Sequence, residues 1–145
     1  MAIAPLLEVN NLKKYFPITK GLIMMKTIGY VQAVDGINFA IQQGETVGLV
    51  GESGCGKTTT SKLILRLEQP TEGEIKLDGQ NIQTFKGQGL REFRTKVQAV
   101  FQDPWSSLSP RMRVRDIVAE PLIVNGLASG AEAQERVREV LEQVG

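Results

Sequence analysis

Histidine is absent from this chain of 145 residues, and cysteine occurs once, as Cys55. A lone thiol excludes an intrachain disulfide and fits a reducing compartment. Long apolar runs are also lacking. The most apolar window near the N-terminus, GLIMMKTIGY, falls well short of the roughly 20 residues that span a bilayer and is broken by Lys26. No basic region followed by a long apolar run marks a signal peptide. Membrane association is therefore expected to come through a partner. The formal net charge is only +1, which gives no argument for nucleic acid. Residues 86–115 carry seven basic and two acidic groups, and residues 116–145 carry two basic and six acidic. A solvated face followed by an acidic helix accounts for that asymmetry, so no nucleic-acid partner is expected. Hydrophobic content of 41% and charged content of 23% are ordinary for a globular chain long enough to bury a core.

What is present reads as alternating short elements. Residues 6–16 (LLEVNNLKKYF) have near-strand spacing, and Pro17 is expected to end them. TKGLIMMKTIG then reads as a hairpin-like excursion punctuated by Gly21 and Gly29. Residues 31–41 (VQAVDGINFAI) predict a strand, with Gln42, Gln43 and Gly44 as its turn. TVGLV (46–50) is short, apolar and flanked by glycines, which predicts a strand buried on both faces. A helix is expected after it, with Leu63, Ile64 and Leu67 on one face and Pro70 as the stop. GEIKLDGQNI predicts a strand and an Asp78-Gly79 turn. GLREFRTK predicts a short helix, and VQAVF (97–101) another buried strand. DPWSSLSPRM is a loop by composition. RDIVAEPLIVNGL predicts a helix as far as Pro121. Ser129 and Glu132 have capping-box spacing ahead of a stripe of Val137, Val140, Leu141 and Val144.

The chemistry concentrates in VGLVGESGCGKTTTSKLIL, residues 47–65. Gly51, Gly56, Lys57 and Thr58 satisfy the G-x-x-x-x-G-K-[ST] spacing of a loop that cradles a polyphosphate. Such a loop turns successive amides inward, which needs the freedom of glycine at Gly51, Gly54 and Gly56. The helix opening near Lys57 adds free N–H groups and the positive end of its dipole. Lys57 brings a full charge to the outer phosphates, and the Thr58 hydroxyl suits the accompanying magnesium. Glu52, Ser53, Cys55 and Thr59 complete the loop's lining. Cys55 reads as a small residue fitting a tight turn, although a helix terminus can acidify a thiol placed there.

Beyond the loop, the chain resembles the ATP-binding subunits of ABC transporters, over nearly its whole length. QQGETVGLVGESGCGKTT is similar to that family's strand, phosphate loop and helix, and QPTEGEIKLDGQNI to its next antiparallel segment. VQAVFQDPWSSLSPRMRVRDIVAEPL resembles the strand, glutamine loop and helical entry of the branch energising dipeptide, oligopeptide or nickel import. The resemblance implies an α/β fold: a P-loop NTPase core with an antiparallel β subdomain and the start of an α-helical subdomain, truncated. It divides the chain into residues 1–102 and 103–145. It implies ATP and Mg2+ as cofactors, with Gln102 touching magnesium and the attacking water, and Tyr15 stacking on adenine. Trp105, in the loop from Asp103 to Met112, would face the membrane subunit. The implied partners are integral membrane permease subunits, a second ATP-binding subunit forming a dimer and, indirectly, an extracytoplasmic solute-binding protein. The implied location is the cytoplasmic face of the cell membrane.

Three of that family's motifs have no counterpart here. No run of four apolar residues ends in Asp-Glu, Leu-Ser-Gly-Gly-Gln does not occur, and a switch histidine is impossible. Hydrolysis needs a carboxylate on magnesium and another polarising water. The residues therefore resemble the front half of an ABC ATPase, able to cradle ATP but without the groups that cut it. Two other readings remain open at this point. One is a naturally truncated nucleotide-binding remnant, and the other a soluble ABC-type ATPase of phosphonate metabolism. GTPases fit worse, since no Asn-Lys-x-Asp motif is present.

Overall fold

A computed structural model describes residues 4–21, 26–103 and 105–145. The chain forms two compact units, Met1–Gly89 and Leu90–Gly145.

The first unit is built on an antiparallel sheet of order β2-β1-β3-β4, comprising β1 (Leu7–Lys20), β2 (Lys26–Ile41), β3 (Glu72–Leu77) and β4 (Gln80–Asn81). Apolar alternation sets the register. Leu7 lies opposite both Ile41 and Leu77, and Val9 opposite Phe39 and Ile75. Directly opposed residues share a face of the sheet. Val9, Leu12, Ile75, Ile82 and Leu63 are almost wholly buried. Burying side chains of this size stabilises by about 1.5–3 kcal/mol each. A bulge at Asn11 (φ 45°) interrupts the pairing of β1 and brings the Asn11 carbonyl against Gly73. The Asp78-Gly79 turn forms as expected, with φ of 51° and 74°, the two positive values a tight two-residue hairpin requires.

Pro17 does not end β1. The strand runs on to Lys20, with Pro17 opposite Tyr30. Pairing with β3 stops at Lys13↔Glu72, so Pro17 lies where β1 has a neighbour on one side only, and such a position tolerates a missing N–H. The hairpin closes at Lys20↔Lys26. Residues 22–25 of the expected excursion lie outside the described residues, and Gly29 sits within β2 opposite Ile18.

The expected strand at 46–50 is a second departure. Those residues are irregular, with Val47 46%, Leu49 51% and Val50 88% exposed. A strand exists only if a neighbour takes up its N–H and C=O groups, and none of β1–β4 pairs with this segment. The helix that follows, α1 (Lys57–Ile64), buries Leu63 but leaves Leu67 exposed. Arg66, at φ 54°, turns the chain out of the helix four residues before Pro70. Its guanidinium donates to the carbonyls of Phe85 and Gln83.

In the second unit, α2 (Gly87–Lys96) straddles the division, and α3 (Val114–Val124) packs against α4 (Gly130–Val144). Segment 97–101 forms no strand, and Val100 is 94% exposed, for the same want of a paired neighbour among the described residues. The 103–112 loop contains a 3-10 turn at Trp105–Ser107, and Pro104 lies outside the described residues. Helix α3 continues through Pro121. Proline removes one donor and crowds the carbonyl a turn behind it, and packing of α3 on α4 holds the helix across that gap. Ser129 occupies the N-cap of α4 without a side-chain cap bond. The capping box does not close, because Glu132 accepts from Arg136 instead, at 3.0 Å. Of the apolar stripe, Val137 is buried and Val140, Leu141 and Val144 are exposed.

Candidate functional site

The loop Gly51–Gly56 and the first turn of α1 converge on one exposed surface of the first unit. Gly56 is the pivot. It caps α1 in the left-handed region (φ 92°, ψ 2°), and a Cβ there would fall within 3.0 Å of the Ala33 carbonyl oxygen. Register explains that carbonyl. Lys14 pairs with Val34 and Tyr15 with Gln32, so Ala33 is the extra residue of a β-bulge in β2. The bulge leaves a backbone group outside the ladder, and the loop lands on it. No spacing in the sequence pointed to Ala33.

The amides of Lys57, Thr58 and Thr59 fall in the first turn, where no helical carbonyl stands behind them to accept. The Thr60 amide is the first to be satisfied, donating to the Gly56 carbonyl at 2.8 Å, and its hydroxyl donates to the same oxygen at 3.0 Å. Cys55 donates its amide to the Glu52 carbonyl. The Lys57 ammonium turns onto the loop itself, donating to the carbonyls of Gly51 (2.7 Å) and Glu52 (2.6 Å), with the Cys55 sulfur at 3.6 Å. A Cβ on Gly51 would meet that sulfur at 2.6 Å, so Gly51 and Cys55 pack as a pair. Ser53, Gly54 and Thr58 are exposed. Free amides, an ammonium and an exposed hydroxyl form a donor set matched to an anion and its counter-cation.

Tyr15 stands in β1 one register step from the bulge, half-buried. Its hydroxyl donates to the Asp35 carboxylate, and its amide donates to the Thr71 hydroxyl at 2.9 Å. The hydrogen bond to Asp35 raises the phenol's pKa above its ordinary value, with burial and the Asp35 charge acting the same way. Sequence reasoning missed Asp35, because only the β1–β2 register brings it to Tyr15. Phe16 is engaged differently, with the Lys14 ammonium 4.8 Å above its ring. Gln102 and Trp105 belong to the second unit and are exposed, Trp105 at 81%. Tyr15 and the 51–59 loop belong to the first.

The family described as "ABC transporter" matches residues 34–145, a span that holds the glycine loop and α1.

The chain belongs to the ABC transporter family.

Among relatives, the oligopeptide transport ATP-binding proteins AppF and OppF of Bacillus subtilis (strain 168) are 46% and 47% identical over 97% of this chain. The dipeptide transport ATP-binding protein DppF of Haemophilus influenzae is 42% identical over the same share. The chain spans less than half of those relatives, 43%, 44% and 42% of their lengths. A solved ATP-binding cassette, dimeric and bound to ADP and Pi in a post-hydrolysis state, is 29% identical with a TM-score of 0.74. It matches 94% of this chain and 56% of its own. The ABC cassette fold is thus shown, together with an antiparallel sheet and helices as expected. No described helix is long and apolar enough to cross a membrane.

Proposed function

We propose that this ABC-family chain is the nucleotide-binding portion of an ATPase subunit that powers import of peptides or a similar solute. The observation that carries the reading is the seating of Gly56 on the Ala33 carbonyl, which holds the loop closed behind while the Lys57–Thr59 amides stay open in front. In this reading the Lys57 ammonium exchanges its two loop carbonyls for the outer phosphates of ATP. Gly51, Glu52, Ser53, Gly54, Cys55 and Gly56 wrap the phosphates with backbone groups. Charge-assisted hydrogen bonds of this kind contribute roughly 1.5–3 kcal/mol each. The Thr58 hydroxyl and Gln102 would hold magnesium, which when bound neutralises charge developing on the phosphate oxygens. Gln102 would orient water with a neutral amide, and the Tyr15 ring would stack on the base while Asp35 anchors its hydroxyl.

The relatives' printed roles in oligopeptide and dipeptide transport support the cargo class. Membrane permease subunits, a second ATP-binding subunit and, indirectly, a solute-binding protein are the partners that follow, at the cytoplasmic face of the membrane. Catalytic turnover belongs to the full-length subunit in this proposal, since residues 1–145 hold no apolar run ending in Asp-Glu. Calorimetry with Mg-ATP tests the reading. The full-length subunit should give a saturable heat that Lys57→Ala abolishes, and residues 1–145 alone should bind weakly at most and release no phosphate. No heat in the full-length subunit overturns it, as does sustained Lys57-dependent hydrolysis by residues 1–145.

A further inference from the structure

Past Lys13 the sheet narrows to two strands. β3 stops pairing at Lys13↔Glu72, and β1 and β2 continue as a ribbon to Lys20↔Lys26. On this ribbon Phe16, Ile18, Ile28, Tyr30 and Val31 are exposed, at 36%, 43%, 60%, 62% and 52%. The register distributes them over both faces: Phe16 opposite Val31 and Ile18 opposite Gly29 on one, Pro17 opposite Tyr30 on the other. A single protein surface laid on the ribbon would cover only one of these faces. Charge adds a second observation. Residues 13–34 contain Lys13, Lys14, Lys20 and Lys26 and no aspartate or glutamate. Lys13 and Lys14 are neutralised by Glu72 and Glu68, whereas Lys20 and Lys26 face each other across the strands with no carboxylate partner among the described residues. Like charges placed opposite each other destabilise a ribbon, and a surrounding anionic phase relieves that cost.

We propose that the outer part of the β1–β2 ribbon is a docking element for an anionic lipid surface. The Lys20 and Lys26 ammonium groups lie among the phosphates, and Ile18, Ile28 and Tyr30 enter the headgroup boundary. Apolar bodies with cationic and aromatic ends are the side chains that settle at that depth. Direct lipid contact would then supplement any attachment through partner proteins, and it does not depend on the nucleotide reading.

Vesicle co-sedimentation of the intact chain tests this, comparing phosphatidylglycerol–phosphatidylcholine mixtures with phosphatidylcholine alone. The chain should pellet with the anionic vesicles only. Lys20→Glu with Lys26→Glu should lower partitioning by about thirtyfold or more, with nucleotide affinity unchanged. Arg91→Glu with Arg94→Glu, which alters net charge equally but lies elsewhere, should leave partitioning within about twofold. Thermal melts by circular dichroism establish that each variant is folded. Depth is read from Tyr30→Trp in a Trp105→Phe background, whose fluorescence should be quenched by brominated acyl chains. Equal loss in both charge-reversed pairs, absence of quenching, or a wild-type chain that stays in the supernatant overturns the proposal. Retention of the chain by purified permease subunits in detergent through the same two lysines, without vesicle binding, overturns it in favour of a protein surface.

Discussion

Alanine at Gly56 and alanine at Gly54 test whether the loop is held by its seat on β2 or only by glycine's backbone freedom. Both glycines are left-handed, at φ 92° and 85°. That conformation costs a non-glycine residue about 1–2 kcal/mol. Gly54 has nothing within 4 Å of an added Cβ, so Gly54→Ala should cost only that amount. Gly56→Ala adds a collision with the Ala33 carbonyl, a backbone atom that cannot rotate away. Forcing extra volume into a filled site costs about 1–3 kcal/mol more. The total is then about 2–5 kcal/mol. At about 1.4 kcal/mol per tenfold, Gly54→Ala should weaken Mg-ATP binding by the full-length subunit about tenfold, and Gly56→Ala at least about thirtyfold. Titration with a fluorescent nucleotide measures the affinities, and equilibrium urea unfolding shows how much of each effect is global stability. Indistinguishable losses for the two variants would show that the contact with Ala33 does not hold the loop.

Three further outcomes follow from other contacts. Gly73→Ala places a Cβ within 3.0 Å of the carbonyls of Asn10 and Asn11 at φ 83°, so urea unfolding should show a loss of at least about 2 kcal/mol. Asp35→Ala should lower the pKa of the Tyr15 phenol toward its ordinary value, seen as earlier phenolate absorbance in an alkaline titration. The sign follows from a raised folded pKa: the Tyr15–Asp35 bond stabilises fully below the unfolded value, and that contribution fades as pH climbs through the folded one. Tyr15→Phe should keep nucleotide affinity within about twofold, because the ring remains, whereas Tyr15→Ala should weaken it about tenfold through lost stacking.

The part of the fold that was legible rests on local chemistry. Asp78-Gly79 needs only its own two positive φ angles, and the Gly51-to-Thr58 spacing needs only a loop and a helix start. Segments 46–50 and 97–101 failed for a different reason. Their apolar runs fit a strand, but a strand is completed by hydrogen bonds from elsewhere, and no described strand supplies them. Local chemistry makes stops of Pro17 and Pro121, and both are overridden, one by a one-sided position in the sheet and one by packing against α4. The Ser129 box was open to competition, and Arg136 took its glutamate.

Residue types and spacings by themselves determined that this ABC-family chain carries a glycine loop, a lysine and a threonine at the mouth of a helix, because those demands lie within eight consecutive residues. Only the tertiary structure decided what stands behind that mouth. The bulge at Ala33, the bond from Tyr15 to Asp35 and the facing of Lys20 with Lys26 all arise from how β1 pairs with β2. Pairing is a relation between distant segments, and a slip of one residue would have turned each of those side chains to the other face.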